Sequence, residues 1–175
     1  MSGARDRKGH LFWPLVVCLL LADCTTKRLA VEHLTPPYVP HDVLGDVIRF
    51  TLAYNPAGAT SISFGPHSRA MLIALTIVAL AVIGGLYRRT APGDWMRTLA
   101  LGLVSGGALG NLADRVLSAR GVVDFIDIGV GSYRFWTFNV ADVGISVGAV
   151  LLAVLLWRDE GARAADAAPA SSPGD

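Results

Sequence analysis

The amino-acid sequence predicts an α-helical membrane protein with four transmembrane helices and some β-structure outside the bilayer. Of its 175 residues, 53% are hydrophobic and 17% are charged, which is more apolar and less charged than an ordinary soluble domain. Four apolar segments, at approximately residues 11–33, 70–87, 95–114 and 138–157, approach or reach the length needed to cross a bilayer. A proline-rich segment between the first two is typical of structure outside the membrane.

The first apolar segment follows a polar, basic N-terminus and has two interpretations. Its apolar run over residues 11–22, followed by Cys24, resembles a cleavable signal with a lipoprotein-type box, but an acidic Asp23 before the cysteine does not fit that box. We therefore favour a membrane helix over residues 11–33. Asp23 and Lys27 are spaced i and i+4 on this helix, so they lie within pairing distance.

Residues 34–69 contain five prolines, a density that excludes a membrane helix. The run over residues 47–54 is rich in β-branched and aromatic side chains and predicts a strand. Asn55 and Pro56 then begin a turn. We expect this segment to form an extramembrane loop with some sheet.

The second and third apolar segments differ in character. Residues 70–87 contain no charged side chain, and their length suits a membrane span. The third segment carries Gly102, Gly106 and Gly110 at i, i+4 and i+8, the pattern of small residues that lets two helices approach closely. We expect this glycine face to pack against another helix; the alternative is that it leaves room for a substrate.

The C-terminal part consists of a polar, glycine-rich connection, the fourth span and a tail. Residues 138–157 form the fourth span, with Asp142 in its first turns. Residues 158–175 are rich in Ala, Pro and Ser and predict a disordered cytoplasmic tail. The predicted organisation is therefore one membrane domain over residues 1–157 and a tail over 158–175.

The distribution of basic residues predicts that both termini lie in the cytoplasm. In that orientation eight Lys and Arg residues lie on the cytoplasmic side, five lie outside and two fall in the first span. Asp23, Asp114, Asp124 and Asp142, from four separate segments, would then share one depth near the outer face of the membrane. The net charge of +1 and the dispersed basic residues predict no nucleic-acid partner.

Carboxylates beside apolar segments indicate a partner or a function, because burying an ionised group without a partner costs free energy. Two carboxylates that lie close together cannot easily both ionise, so one acts as a base and the other as an acid. Such a pair can activate a water and protonate a leaving nitrogen, which is aspartic peptide hydrolysis. The four histidines lack metal-ligand spacing and form no convincing set with a serine or cysteine.

Each aspartate also has a structural interpretation. Asp142 could be a carboxylate favoured by the helix dipole near a helix start. Asp124, flanked by apolar residues in a strand, could project from the opposite face into solvent. For Asp114, beside Arg115, we favour structural support over catalysis. Asp127 has the pattern of an exposed loop carboxylate, and we assign it no role.

Five short motifs in the chain match the pattern of a known family. They are Asp23-Cys24-Thr25-Thr26-Lys27, Tyr54-Asn55 with Gly58-Ala59, the stretch GGALGNLADR over residues 106–115, VVDFI over residues 122–126, and Phe138-Asn139-Val140-Ala141-Asp142. In these motifs the chain resembles the signal peptidase II family, the lipoprotein signal peptidases of bacteria. The resemblance covers about residues 11–157. The Gly-Asn-x-x-Asp-Arg and Phe-Asn-x-Ala-Asp pieces, in this order and each at a membrane boundary, are highly specific.

The resemblance implies a four-helix membrane protein with a β-rich extracytoplasmic cradle and the activity of an intramembrane aspartic endopeptidase. The implied reaction removes signal peptides from diacylglyceryl-modified prolipoproteins by a cut before the lipidated cysteine, with Asp124 and Asp142 as the catalytic pair. The residues implied to bind substrate or support the active site are Asp23, Lys27, Asn55, Asn111, Asp114, Arg115 and Asn139.

The resemblance also implies chemistry without a metal or cofactor. The implied partners are lipidated prolipoproteins and membrane lipid. We expect a monomer in the bacterial cytoplasmic (inner) membrane, with its active site near the outer face.

Two features depart from the family pattern. The family usually has Gln after the first aspartate, where this chain has Cys24, and a thiol cannot replace the hydrogen bonds of an amide. The family's compact Asn-Thr-Gly-Ala-Ala-Phe segment corresponds to residues 55–64 of this chain, which is longer. This difference affects the expected substrate contacts of the loop and not the expected chemistry.

Two other functions are compatible with the sequence. A small proton- or cation-coupled transporter would use membrane aspartates as carriers, with access from both sides. A non-catalytic membrane scaffold would rely on the glycine face alone, and replacing Asp124 or Asp142 by Asn would leave its function intact.

Overall fold

A computed structural model of the chain describes residues 3–56 and 67–167. These residues form four helices and four strands: α1 (Gly3–His33), β1 (Pro40–Leu44), β2 (Ile48–Asn55), α2 (Ser68–Arg89), α3 (Trp95–Leu117), β3 (Val122–Val130), β4 (Tyr133–Arg134) and α4 (Val140–Ala167). The predicted loop between the first two helices falls partly outside the described residues.

Three of the described helices are long and apolar enough to cross a membrane, over residues 8–33, 68–89 and 140–161. They correspond to the first, second and fourth predicted spans. The third predicted span lies within α3, a continuous helix of 23 residues that does not reach the same hydropathy. Helix α3 instead has the most buried side chains of the four and packs against the other three helices.

Glycines let α3 approach its neighbours closely. A Cβ atom at Gly102 would lie 2.9 Å from the Leu15 side chain, and one at Gly106 would lie 3.0 Å from Leu19, both on α1. At Gly110 the added atom would contact the carboxylate of Asp23. The predicted helix packing is therefore confirmed, and the glycine face is occupied by α1 instead of leaving room for a substrate.

The strands form one antiparallel sheet in the order β1-β2-β3-β4. The strand predicted over residues 47–54 corresponds to β2, displaced by one residue. In the pairing of β2 with β3, Ala53 lies opposite Asp124 and Asn55 lies opposite Val122. This register brings the end of β2 beside the aspartate of β3.

Helix α4 continues ten residues beyond the predicted fourth span, to Ala167. The prediction of disorder is wrong for residues 158–167, because this stretch contains several alanines, the strongest helix former. Asp159 also forms an ion pair of 2.6 Å with Arg97 at the start of α3. Residues 168–175 of the predicted tail lie outside the described residues.

At the end of the helices opposite to the sheet, aromatic packing joins α1 to α2. The rings of Phe12 and Tyr87 stack with a centroid distance of 4.1 Å, beside the buried Val16 and Leu101. The Lys8 ammonium donates to the carbonyl oxygens of Tyr87 and Thr90, at 2.8 Å each. The lysine lies at the C-terminal end of α2, where the partial negative charge of the helix carbonyls favours a cation.

Candidate active site

Strand β3 carries Asp124 into the interior of the molecule, where the residue is 3% exposed. Its Oδ1 accepts a hydrogen bond of 2.6 Å from the Asn139 side-chain amide, and its Oδ2 accepts one of 3.2 Å from Asn55. The two amides come from α4's N-terminal boundary and from β2. The alternative in which Asp124 projects into solvent is therefore wrong.

Asp142 lies in the first turn of α4 and caps it together with Asn139. The backbone N–H of Asn139 donates to Asp142 Oδ2 at 3.2 Å, and the backbone N–H of Asp142 donates to Asn139 Oδ1 at 3.0 Å. This reciprocal pair is the arrangement of a capping box. The other oxygen, Asp142 Oδ1, accepts a hydrogen bond of 2.7 Å from the Asn111 side chain, so the carboxylate also has a role outside its helix.

Asn139 connects the two aspartates. It is fully buried, its side-chain amide donates to Asp124, and its backbone N–H donates to Asp142. The same amide lies 3.2 Å from Asn111 Oδ1 and 3.3 Å from the Val123 carbonyl oxygen. One residue thus fixes the orientation of both carboxylates.

The buried ammonium of Lys27 contacts residues that surround the aspartate pair. The Lys27 ammonium contacts Asp23 Oδ2 at 2.7 Å, Asp114 Oδ2 at 2.9 Å and Asn111 Oδ1 at 2.9 Å. Lys27 is 3% exposed and Asp23 is fully buried. The predicted pairing of Asp23 with Lys27 is confirmed, and a charge buried in this way requires such partners.

The two carboxylates bound to Lys27 also hold the segments that carry the aspartate pair. Asp114 Oδ2 accepts a hydrogen bond of 3.0 Å from the backbone N–H of Val123, directly before Asp124. Asp23 Oδ1 accepts one of 2.9 Å from the backbone N–H of Ala141, directly before Asp142. Through these contacts the two carboxylates position the backbone beside the aspartate pair, and a supporting role for Asp114 stays a prediction.

Asp124 and Asp142 line one groove of about 1180 Å³. Its polar end includes Asn55, Asn111 and Arg115, and its apolar walls come from α2, α3 and α4, with Leu75, Ala79, Ile83, Val104, Ala108 and Ile145. Arg115 donates to the Asn111 carbonyl oxygen at 3.1 Å. The groove therefore joins a charged site at the sheet to an apolar channel along the helices.

Burial removes water from the Asp124 carboxylate, and the negative charge of Asp142 repels it further. Together these effects raise the pKa of Asp124 to about 6, against the lowering effect of the hydrogen bonds from Asn55 and Asn139 and of the Lys27 charge. A carboxylic acid with such a pKa can hold or release a proton near neutral pH.

Asp127 differs from its prediction. It lies in strand β3 and not in an exposed loop, its side chain is 13% exposed, and it pairs with Arg134 at 2.8 Å. Thr51 of β2 donates to its other oxygen at 3.2 Å. All three residues line the groove, and the hydropathy pattern of the sequence contains no signal for this cluster.

The structure describes the first departure from the family pattern and only the start of the second. Cys24 is exposed on α1, one residue from the buried Asp23. Within the loop over residues 55–64, Asn55 contacts Asp124, whereas residues 57–64 lie outside the described residues. Among residues 3–56 and 67–167, no group of three His, Cys, Asp or Glu side chains is arranged to hold a metal ion.

The fold and the site define a helical membrane protein in which the buried Asp124, the partly buried Asp142 and their amide partners face one groove. The chain belongs to the signal peptidase II family, whose family model, described as signal peptidase (SPase) II, matches residues 15–158.

Curated relatives agree with this assignment. The chain is 42% identical over 153 residues to a lipoprotein signal peptidase of Rhodococcus jostii, covering 83% of this chain and 71% of the relative. It is 36% identical over 161 residues to a lipoprotein signal peptidase of Mycobacterium tuberculosis, covering 87% and 73%. A relative of the same description from Hydrogenovibrio crunogenus is 36% identical over 147 residues, covering 80% and 81%.

Two solved structures share the fold. One, described as a bacterial membrane enzyme determined by the in meso method at 2.3 Å resolution, has a TM-score of 0.74 and 25% identity and covers 92% of each chain. A second, of the same description at 1.9 Å resolution, has a TM-score of 0.73 and 28% identity, covering 83% of this chain and 91% of the other.

Proposed function

We propose that this protein is a membrane-embedded aspartic endopeptidase that removes signal peptides from diacylglyceryl-modified prolipoproteins, with the cut before the lipidated cysteine. Membership of the signal peptidase II family supports the removal of signal peptides from prolipoproteins. The observation that supports aspartic chemistry is the pair Asp124 and Asp142, both bonded to Asn139 and both facing one groove.

In the proposed reaction a water molecule lies between the two carboxyl groups. The ionised carboxylate removes a proton from this water, whose oxygen attacks the carbonyl carbon preceding the lipidated cysteine. The protonated carboxyl donates its proton to the carbonyl oxygen. The product of the attack is a gem-diol. When it collapses, the C–N bond breaks and the cysteine nitrogen leaves as an amine with the proton that the ionised carboxylate had taken from water. One hydroxyl of the gem-diol returns its proton to the other carboxylate as the C=O bond re-forms, which restores the starting pair.

The raised pKa of Asp124 makes this residue the better candidate for the carboxyl that is protonated at the start. The two groups interact, so their titration belongs to the pair. Asn55, Asn111 and Asn139 hold the carboxyl oxygens in fixed directions. Arg115 lines the same groove, and its positive charge is suited to stabilise the negative charge that develops on the carbonyl oxygen in the transition state.

The apolar walls of the groove suit the acyl chains of the substrate. Leu75 and Ala79 of α2, Ala108 of α3 and Ile145 of α4 line it, and hydrocarbon chains against such walls exclude water from the reacting bond. The substrate would therefore bind with its lipid between the helices and its scissile bond at the polar end.

We further infer four membrane spans, with α3 as the third. Both termini would lie in the cytoplasm of a bacterial cell, and the aspartate pair would lie near the outer face of the cytoplasmic (inner) membrane. Residues 1–157 would form one protease domain that acts as a monomer, and the domain needs no metal or cofactor for the proposed chemistry.

The test is a comparison of Asp124→Asn and Asp142→Asn with the unchanged enzyme, purified and assayed on a lipidated precursor peptide. We expect each variant to lose about a hundredfold to ten-thousandfold in kcat while keeping its thermal unfolding midpoint. Asp42→Asn is the matched control, because Asp42 pairs with Arg49 on the same sheet and does not line the groove. Cleavage at a near-normal rate by a folded Asp142→Asn enzyme would contradict the proposal.

The transporter and scaffold alternatives have weaker support. A carrier needs carboxylates with access from both sides, whereas Asp23, Asp124 and Asp142 all belong to one network at one end of the helices. A scaffold needs only close helix packing and does not require a groove with an aspartate pair at its polar end.

A further inference from the structure

The groove contains a second polar cluster that the proposed chemistry does not use. The Arg134 guanidinium contacts Asp127 Oδ1 at 2.8 Å through one nitrogen and 2.9 Å through another, and it also donates to the Asp46 carbonyl oxygen. Thr51 donates to Asp127 Oδ2 at 3.2 Å. The paired side chains of Arg134 and Asp127 are 19% and 13% exposed, so the cluster is largely buried, and all three of its side chains line the groove.

A β-bulge brings this cluster to the same face as the aspartate pair. Residues three apart on a regular strand point to opposite faces, yet Asp124 and Asp127 both line the groove. Between them, the backbone N–H groups of Phe125 and Ile126 both donate to the Phe138 carbonyl oxygen, at 3.0 and 2.8 Å. This doubling of donors on one acceptor is the pattern of a bulge in β3, which re-aims a side chain. In the pairing with β2 the register also shifts, with Thr51 and Leu52 opposite Phe125 alone.

The position of the cluster matches a defined part of the substrate. Asp127 follows Asp124 by three positions on β3, a distance of about 10 Å along the strand. An extended peptide covers the same distance in three residues. The apolar signal peptide and the acyl chains require the apolar walls between the helices. The hydrophilic chain that follows the lipidated cysteine must leave in the other direction, over the sheet.

We infer that Asp127, with Thr51 and Arg134, binds the mature segment of the substrate two to four residues beyond the lipidated cysteine. Arg134 fixes the direction of the Asp127 carboxylate, whose remaining lone pairs accept hydrogen bonds from peptide N–H groups of the extended mature segment. The Thr51 hydroxyl oxygen provides a further acceptor. This inference rests on the proposed function, since it assigns part of the same substrate to the same groove.

The experiment compares two enzymes, unchanged and variant, on two substrates, full-length and truncated. Asp127→Asn and the unchanged enzyme are assayed on two lipidated precursor peptides with the same signal sequence, one ending at the lipidated cysteine amide and one extending five residues further. We expect Asp127→Asn to raise KM about tenfold on the long peptide, with kcat unchanged. On the short peptide, which lacks the contacted residues, the two enzymes should have the same KM.

Two further variants separate binding from structure. Thr51→Val keeps the β-branched shape and removes only the hydroxyl, and it should give a smaller KM effect that is again confined to the long peptide. Asp42→Asn removes an ion pair of the same sheet outside the groove and should change neither peptide. An equal loss on both peptides by Asp127→Asn and Thr51→Val would overturn the inference, as would unchanged KM values on the long peptide. Failure of the unchanged enzyme to cleave either peptide would instead overturn the proposed function.

Discussion

At the scale of single residues, Asn139 has two separable tasks. Its backbone and side-chain oxygen cap α4 together with Asp142, whereas its side-chain nitrogen donates to Asp124. Serine is as good an N-cap as asparagine but has no amide to offer. The two tasks can therefore be tested independently by substitution.

We expect Asn139→Ser to keep the helix cap and lose about tenfold or more in kcat, because the Asp124 carboxyl loses a hydrogen bond that orients it, and such a bond contributes about 1 kcal/mol or more. Asn139→Ala should lose activity and also about 1 kcal/mol of stability through the missing cap. Thermal unfolding in detergent and cleavage of a lipidated precursor peptide measure the two effects. Full activity of a stable Asn139→Ser enzyme would show that the amide is unnecessary.

The raised pKa of Asp124 predicts the pH dependence of the enzyme. In the proposed mechanism the aspartate pair carries one proton when active, and a pKa of about 6 for Asp124 means that the free enzyme loses that proton as the pH rises through about 6. Values of kcat/KM should therefore decrease above about pH 6, by up to tenfold per pH unit. Replacing Asn55 by Ala removes a hydrogen bond that lowers this pKa, so the alkaline limb should move to higher pH.

Steady-state kcat/KM values measured across the pH range give the position of this limb for both enzymes. The control is Asp42→Asn, which should have the profile of the unchanged enzyme. An alkaline limb that moves to lower pH in Asn55→Ala would contradict the assigned direction of the hydrogen-bond effect.

The sequence could predict the residues around the aspartate pair but not the second polar cluster. Asp23 and Lys27 are related by helical spacing, and the motifs around Asp114, Asp124 and Asp142 identify the other segments. Asp127 escaped prediction because its direction depends on a bulge at Phe125 and Ile126. The residues of this bulge are ordinary strand formers, so hydropathy and residue spacing do not predict it.

At the scale of helices, the packing of α3 depends on glycines that face two neighbours. A Cβ atom at Gly107 would collide with the Ala141 carbonyl oxygen and lie 2.8 Å from the Ile145 side chain, both on α4. A backbone atom cannot move aside as the end of a side chain can. Any larger residue at Gly107 must therefore push α4, and Asp142 with it, away from α3.

We expect Gly107→Ala to reduce stability by about 1–3 kcal/mol and to reduce activity as well, because Ala141 directly precedes Asp142. Gly84→Ala is the matched control, since a Cβ atom at Gly84 on α2 has nothing within 4 Å, and alanine favours a helix over glycine. Thermal unfolding and peptide cleavage test both variants. A Gly107→Ala enzyme with normal stability and activity would show that α3 and α4 can separate at no cost.

Hydropathy predicted the helices better than the strands. Long apolar runs identified α1, α2 and α4 because lipid-facing segments must be apolar along their whole length. Strand β1 (Pro40–Leu44) was missed because its proline and its exposed polar residues resemble a loop. The helical stretch 158–167 was missed for the opposite reason, since composition suggested a polar tail and gave too little weight to alanine.

At the scale of the whole molecule, Lys27 joins segments that are far apart in the sequence. Its ammonium contacts Asp23 of α1 and both Asn111 and Asp114 of α3. Through Asp114 the cluster reaches β3, and through Asp23 it reaches α4. The catalytic pair proposed for this protein is thus positioned by a buried charge network that no one segment could form alone.

Whether α3 crosses the membrane decides the membrane topology of the whole chain. It is less apolar than the other helices, but residues 98–113 contain no charge, and its 23 residues extend about 35 Å, enough to cross a hydrocarbon core of about 30 Å. Because α1, α2 and α4 all pack against it, little of its surface would contact lipid if α3 crosses the membrane. A central helix of this kind can span a membrane with a lower hydropathy than its neighbours.

Reporter insertions should therefore alternate along the chain. We expect alkaline phosphatase, active only outside the cytoplasm, to be active when inserted after Pro36 or Ala119, and a fluorescent protein that matures only inside to fluoresce after Pro92 or Gly161. The informative pair is Pro92 and Ala119, which flank α3 and should report opposite sides. The same report from both positions would mean that α3 does not cross the membrane. We expect opposite reports, because Ala141 on α4 donates a hydrogen bond to Asp23 on α1. If α3 did not cross, these two residues would lie on opposite sides of the bilayer.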